Sequence, residues 1–79
     1  MALGKEWKAI FTFLTTTRAM AAEKLLREAN IPGRLIPVPG RISAGCGMAW
    51  CAPIDSRNYT ETILRKGNVA AEGIYELFM

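Results

Sequence analysis

WKAIFTFL, residues 7–14, decides the fold, because its strand pattern gives way at once to a helical one. The segment is rich in aromatic and β-favouring residues, and it alternates in part. Trp7, Ala9, Phe11 and Phe13 fall on one face, and Lys8, Ile10, Thr12 and Leu14 on the other. This predicts a strand. The period then changes. Thr15, Thr16 and Thr17 supply an N-cap. Beyond them Ala19, Ala22, Leu25, Leu26 and Ala29 recur at helical spacing, with charged residues between them. Alanines on the apolar stripe suit close packing against a sheet. Asn30, as C-cap, and Ile31-Pro32-Gly33 end the helix predicted over 19–29.

The remainder repeats this change of period. Arg34 to Val38 predicts a short second strand, and Pro37, which lacks an N–H, suits an edge or a strand end. Residues 39–47 are a loop of small, turn-forming residues. Met48 to Ala52 predicts a third strand, stopped by Pro53. Asp55 or Ser56 caps a second helix over 57–66, whose expected buried stripe is Tyr59, Ile63 and Leu64 and whose expected closing residue is Gly67. Val69 to Met79 predicts a last strand, with Gly73 at a bend or bulge. The order β-α-β-β-α-β predicts an α+β, ferredoxin-like fold, a four-stranded antiparallel sheet with two helices on one face. It is expected to form one domain over residues 1–79. Ile10 and Leu14, with Tyr75 and Leu77, place apolar residues on the helix-free face as well. That face reads either as a partner surface, a second copy of the chain included, or as ordinary exposed surface.

Composition narrows the chemistry. In 79 residues, 51% are apolar, enough for one small globular core. The net charge of +3 comes from scattered basic residues, which argues against a nucleic-acid footprint. The strands also lack the aromatic signature of RNA-recognition modules. The apolar run near Ala9–Leu14 is too short for a signal peptide, and no stretch approaches the ~18 apolar residues of a membrane span. A cytoplasmic protein with reduced thiols is expected, with neither membrane nor nucleic acid as a partner. The chain has no histidine, which removes His-based triads, Cys-His dyads and His metal ligands. Its two cysteines fall short of a four-ligand metal set, so no metal and no cofactor is expected within one chain.

The chemistry-bearing motif is Ser43-Ala44-Gly45-Cys46-Gly47. Gly45 and Gly47 permit positive φ and close approach of another group to Cys46. Successive N–H groups in such a turn can converge on an anion. A thiolate is an anion, so those donors, a hydrogen bond from Ser43 and the charge of Arg41 would favour ionised Cys46. Such a thiolate suits sulfur transfer through a persulfide. The residues leave a second reading open, in which Cys46 is a small residue filling a tight loop. Cys51 lies among Met48, Ala49, Trp50 and Ala52, where packing is its expected role. An internal disulfide is not expected. Five residues of straight strand span about 16 Å, whereas disulfide-bonded Cα atoms lie within ~7 Å.

The chain resembles the selenium/sulfur carrier protein-like family, small bacterial and archaeal domains. The resemblance rests on Ala22-Glu23-Lys24-Leu25-Leu26 and Ile31-Pro32. It continues through Arg34-Leu35-Ile36-Pro37-Val38-Pro39, Ile42-Ser43-Ala44-Gly45-Cys46-Gly47-Met48-Ala49 and Glu72-Gly73-Ile74-Tyr75. Gly40 departs from the Pro-Arg step usual in the family and displaces Arg41 by one place. The resemblance implies that Cys46 is the family's distinctive cysteine and that it holds sulfur or selenium as a persulfide or selenide. It also implies sulfur-donor and thiol-acceptor proteins as partners, and a carrier without turnover of its own. The alternative is a non-catalytic ferredoxin-like module that binds a protein or a small ligand, with residues 39–47 as its recognition surface.

Overall fold

The computed structural model of the chain describes residues 5–42 and 47–79. Strand β1 spans Trp7–Thr12, helix α1 Thr16–Glu28, β2 Arg34–Pro37, β3 Met48–Pro53, helix α2 Arg57–Lys66 and β4 Gly73–Phe78. The sheet order is β2-β3-β1-β4, with antiparallel neighbours throughout. This is the ferredoxin-like arrangement that the element order predicts.

The expected alternation of β1 holds. Ala9 and Phe11 enter the helix-side core, together with Phe13 just beyond the strand. Trp50 and Ala52 from β3, Ala19, Ala22 and Leu26 from α1, and Leu64 from α2 complete it. Alanine at positions 19 and 22 lets α1 lie close on the sheet, and both are fully buried. Trp50 is the largest fully enclosed side chain. Burying each large apolar group of this kind contributes roughly 1.5–3 kcal/mol, so the sheet and both helices are held by this layer.

Helix α1 starts three residues earlier than its apolar stripe suggests. Thr15 is the N-cap and its side chain accepts a hydrogen bond from the Arg18 N–H at 3.1 Å. Both helices end by one device. Asn30 adopts φ 58° and Asn68 φ 59°. Asn30 N–H donates to Arg27 O, and Ile31 N–H to Leu26 O; Asn68 N–H donates to Arg65 O, and Val69 N–H to Leu64 O. These are Schellman motifs, with asparagine at the left-handed position and an apolar residue after it that folds back onto the core. Asn30 therefore follows the cap, which is Ala29. Gly67 is the C-cap of α2 without being its left-handed residue. What it provides is space, since a Cβ there would overlap the Leu25 side chain of α1.

Three further expectations change. A 3-10 turn over Ile54–Ser56 precedes α2, and Ser56 occupies the N-cap position without a side-chain capping bond. This turn sets the phase of α2 so that Thr60 and Leu64 are buried, Ile63 packs beside them, and Tyr59 stands exposed. The last strand is confined to Gly73–Phe78, and Gly73 begins it. The helix-free face is also less bare than expected. Ile10 and Ala49 on that face are fully buried because Ile42, from the β2–β3 connection, packs on them. Val38, Ile36, Cys51 and Leu77 surround this second cluster.

Candidate functional site

The β2–β3 connection carries the candidate site. It leaves β2 after Pro37 and is pinned at both ends. Val38 N–H donates to Gly47 O at 3.0 Å, which extends the hairpin by one rung beyond the strands. Ile42 N–H donates to Pro39 O at 2.9 Å, closing a turn with Gly40 and Arg41 at its centre. That turn aims Ile42 at the sheet, where it joins Ile10 and Ala49, and leaves Arg41 exposed.

Gly47 is exposed and adopts φ +78°. Nothing lies within 4 Å of where its Cβ would stand, so the requirement for glycine is conformational and not steric. Of the residues expected at the site, Arg41 and Gly47 lie in the described part of this connection. Ser43, Gly45 and Cys46 lie outside the described residues. From the sequence, the loop's glycines offer access and backbone donors, and no residue is assigned to anchor it. The described structure adds Val38 and Ile42, two apolar residues inside a turn-rich segment. Their presence there was the available signal, because a loop that only bridges two strands has no need of them.

Cys51 has a free thiol and sits half-buried on the helix-free face. Arg34 of β2 stands directly across from it on one side, and Ile10 of β1 on the other. Burial pushes the thiol above the ordinary range, and the nearby charges of Lys8 and Arg34 pull less strongly the other way. Cys51 packs against the Ile10–Ile42–Ala49 cluster, as expected of a strand cysteine. It also lines an open cleft of about 440 Å³ with Lys8, Gly33, Arg34 and Pro53. At Gly33, with φ +142°, a Cβ would come within 2.7 Å of both Cys51 O and the Trp50 indole nitrogen. Only glycine lets the chain entering β2 pass this close to β3.

Among the described residues no group of three His, Cys, Asp or Glu side chains is placed to hold a metal ion. No helix among them is long and apolar enough to cross a membrane. No curated protein and no solved structure matches the chain. One family model does match, over residues 8–76, which takes in every strand and helix except the ends of β1 and β4. The chain belongs to the family described as "Putative Se/S carrier protein-like".

Proposed function

We propose that the protein carries sulfur or selenium on Cys46 and passes it between partner proteins. The observation that supports this most is the double anchoring of the β2–β3 connection. Ile42 is seated in an apolar cluster and Gly47 is bonded to Val38, while Arg41 and Gly47 remain exposed. The residues on either side of the Cys46 segment, Ile42 and Gly47, are thus both tied to the sheet. Membership of the family supports the same reading.

In the proposed cycle the Cys46 thiolate attacks the terminal sulfur of a donor persulfide. A new S–S bond forms to Cys46, the donor's own S–S bond breaks, and the donor leaves as a thiolate. No oxidant is consumed. The thiolate of an acceptor repeats the step and returns Cys46 to its starting form. Gly45 and Gly47 give access and backbone donors, Ser43 a hydrogen bond, and Arg41 a positive charge for the anionic sulfur. The partners are a sulfur-donor protein and a thiol acceptor, in a compartment that keeps thiols reduced, such as the cytoplasm. Selenium follows the same route when the donor holds it as the outer atom of an S–Se− group, the donor's S–Se bond breaking as a new one forms to Cys46.

The test is loading from a persulfide donor, read by intact-protein mass. The wild type and Cys51→Ser are expected to gain one sulfur atom, and Cys46→Ser none. Equal loading of Cys46→Ser would sink the proposal and favour a non-catalytic interaction module.

A further inference from the structure

The two edges of the sheet differ. β2 is four residues long, opens on Arg34 and closes on Pro37, which has no N–H to offer. β4, Gly-Ile-Tyr-Glu-Leu-Phe, is six residues long and has no proline and no lysine. Its outer edge lacks proline and lysine, and its one charged side chain, Glu76, is occupied by Arg57 of α2.

The direction of its backbone groups is set by the ladder with β1. Glu6 and Met79 exchange both hydrogen bonds, at 2.9 and 3.0 Å. In antiparallel pairing such rungs alternate with rungs whose groups point away. With Trp7 across from Phe78, Lys8 from Leu77 and Ala9 from Glu76, the outward N–H and C=O groups belong to Ile74, Glu76 and Phe78. These three stand on the helix side of the sheet, where Ile74 joins the core and Glu76 meets Arg57 of α2 at 3.4 Å. Phe78, about half exposed, is held edge-to-face by Trp7 with ring centroids 5.5 Å apart.

We infer that β4 pairs with β4 of a second copy of this chain, antiparallel about a two-fold axis at Glu76, so that two sheets join into one. The strand is self-complementary in that register. Glu76 exchanges both backbone bonds with its own copy, and Ile74 does so with Phe78 of the other chain, so every outward group is used. Side chains match as well. On the helix side Ile74 covers the exposed Phe78 ring, and on the other side Tyr75 meets Leu77. The one unfavourable juxtaposition, carboxylate against carboxylate, carries its own countercharge, because each Glu76 already lies beside an Arg57. Shifting the register by two residues leaves an outward group unpaired and puts Glu76 against an apolar side chain. The pairing does not depend on the chemistry proposed for Cys46.

The test uses the full chain. Sedimentation is expected to show a dimer. Glu76→Pro removes an outward N–H, together with the Glu76 carboxylate and its ion pair to Arg57, and takes no hydrogen bond from the β1–β4 ladder. It is expected to raise the dimer dissociation constant at least ~10-fold. A second measurement does not depend on the fold of that variant. In a background of Cys46→Ser with Cys51→Ser, Glu76→Cys places two thiols across the axis with Cα atoms about 5.5 Å apart, within disulfide reach. Tyr75→Cys places them about 7–8 Å apart, beyond it. Mild oxidation is expected to give a covalent dimer with Glu76→Cys and not with Tyr75→Cys. A monomer at all concentrations, a dimer unchanged by Glu76→Pro, or cross-linking through Tyr75→Cys in place of Glu76→Cys would overturn the inference.

Discussion

Ile42, from the connection between β2 and β3, packs in one cluster with Ile10 at the centre of the helix-free sheet face. The contact joins the fold to the proposed function, because it fixes one end of the segment that carries Cys46. Ile42→Ala is expected to destabilise the protein by about 2–5 kcal/mol, the usual range for truncating a buried isoleucine to alanine. Arg41→Ala, one residue away and exposed, is expected to stay within about 0.5 kcal/mol. Urea denaturation measures both. Equal effects would show that Ile42 is not seated on the sheet.

Gly33→Ala is expected to cost about 2 kcal/mol or more. Two causes act together, a backbone conformation that only glycine adopts readily and a Cβ placed against Cys51 O and the Trp50 ring. Because Trp50 is fully buried, the same variant should shift the tryptophan fluorescence of the folded state. A variant with wild-type stability and spectrum would contradict the close passage of β2 over β3.

The paired asparagines allow a cleaner comparison. Asn68→Ala forces alanine into a left-handed conformation and is expected to cost about 1 kcal/mol, a fall of roughly 4–8 °C in Tm for a domain of this size. Asn68→Gly is expected to match or exceed the wild type, since glycine adopts that conformation freely. Asn30 should behave likewise. If Ala and Gly were equivalent at both positions, the Schellman assignment would be wrong.

Cys51 gives a pH dependence with a defined sign. Burial raises its thiol pKa in the folded state, so the folded protein keeps that proton at pH values where the unfolded chain has lost it. The stabilising contribution is complete below the unfolded pKa of ~8.5 and is lost as pH rises through the folded value. Cys51→Ser lacks this contribution. The gap in urea midpoint between wild type and Cys51→Ser should therefore narrow above about pH 8.5. A gap that widens would place the thiol in an environment that favours its anion.

The period of apolar residues carried most of the fold. The partial alternation of β1 placed its aromatic face, the alanine stripe of α1 gave the helix its buried side, and the strand order follows from the order of the elements. The phase of α2 was less legible. Its neighbours Tyr59 and Thr60 differ in which one the sheet accepts, and the 3-10 turn over Ile54–Ser56 decides that. Propensity assigned the burial to the larger, more apolar residue, and tertiary geometry assigned it to the smaller. Gly67 showed a similar inversion, since its neighbour Asn68 takes the left-handed conformation and the glycine makes room for Leu25. At the site, the glycine after Cys46 was readable as a positive-φ position, and Gly47 is one. The anchoring by Ile42 was not, because contact between a loop residue and the far face of a sheet depends on how the chain turns at Gly40 and Arg41, which no local pattern encodes.

The thiol pKa of Cys46 tests the central claim most directly, measured by pH-dependent alkylation of the Cys51→Ser protein. An activated carrier thiol is predicted to label rapidly, with a midpoint clearly below the ~8.5 of a free cysteine. Slow labelling with a midpoint at or above that value would mean that Cys46 only fills its loop, and would contradict the carrier function.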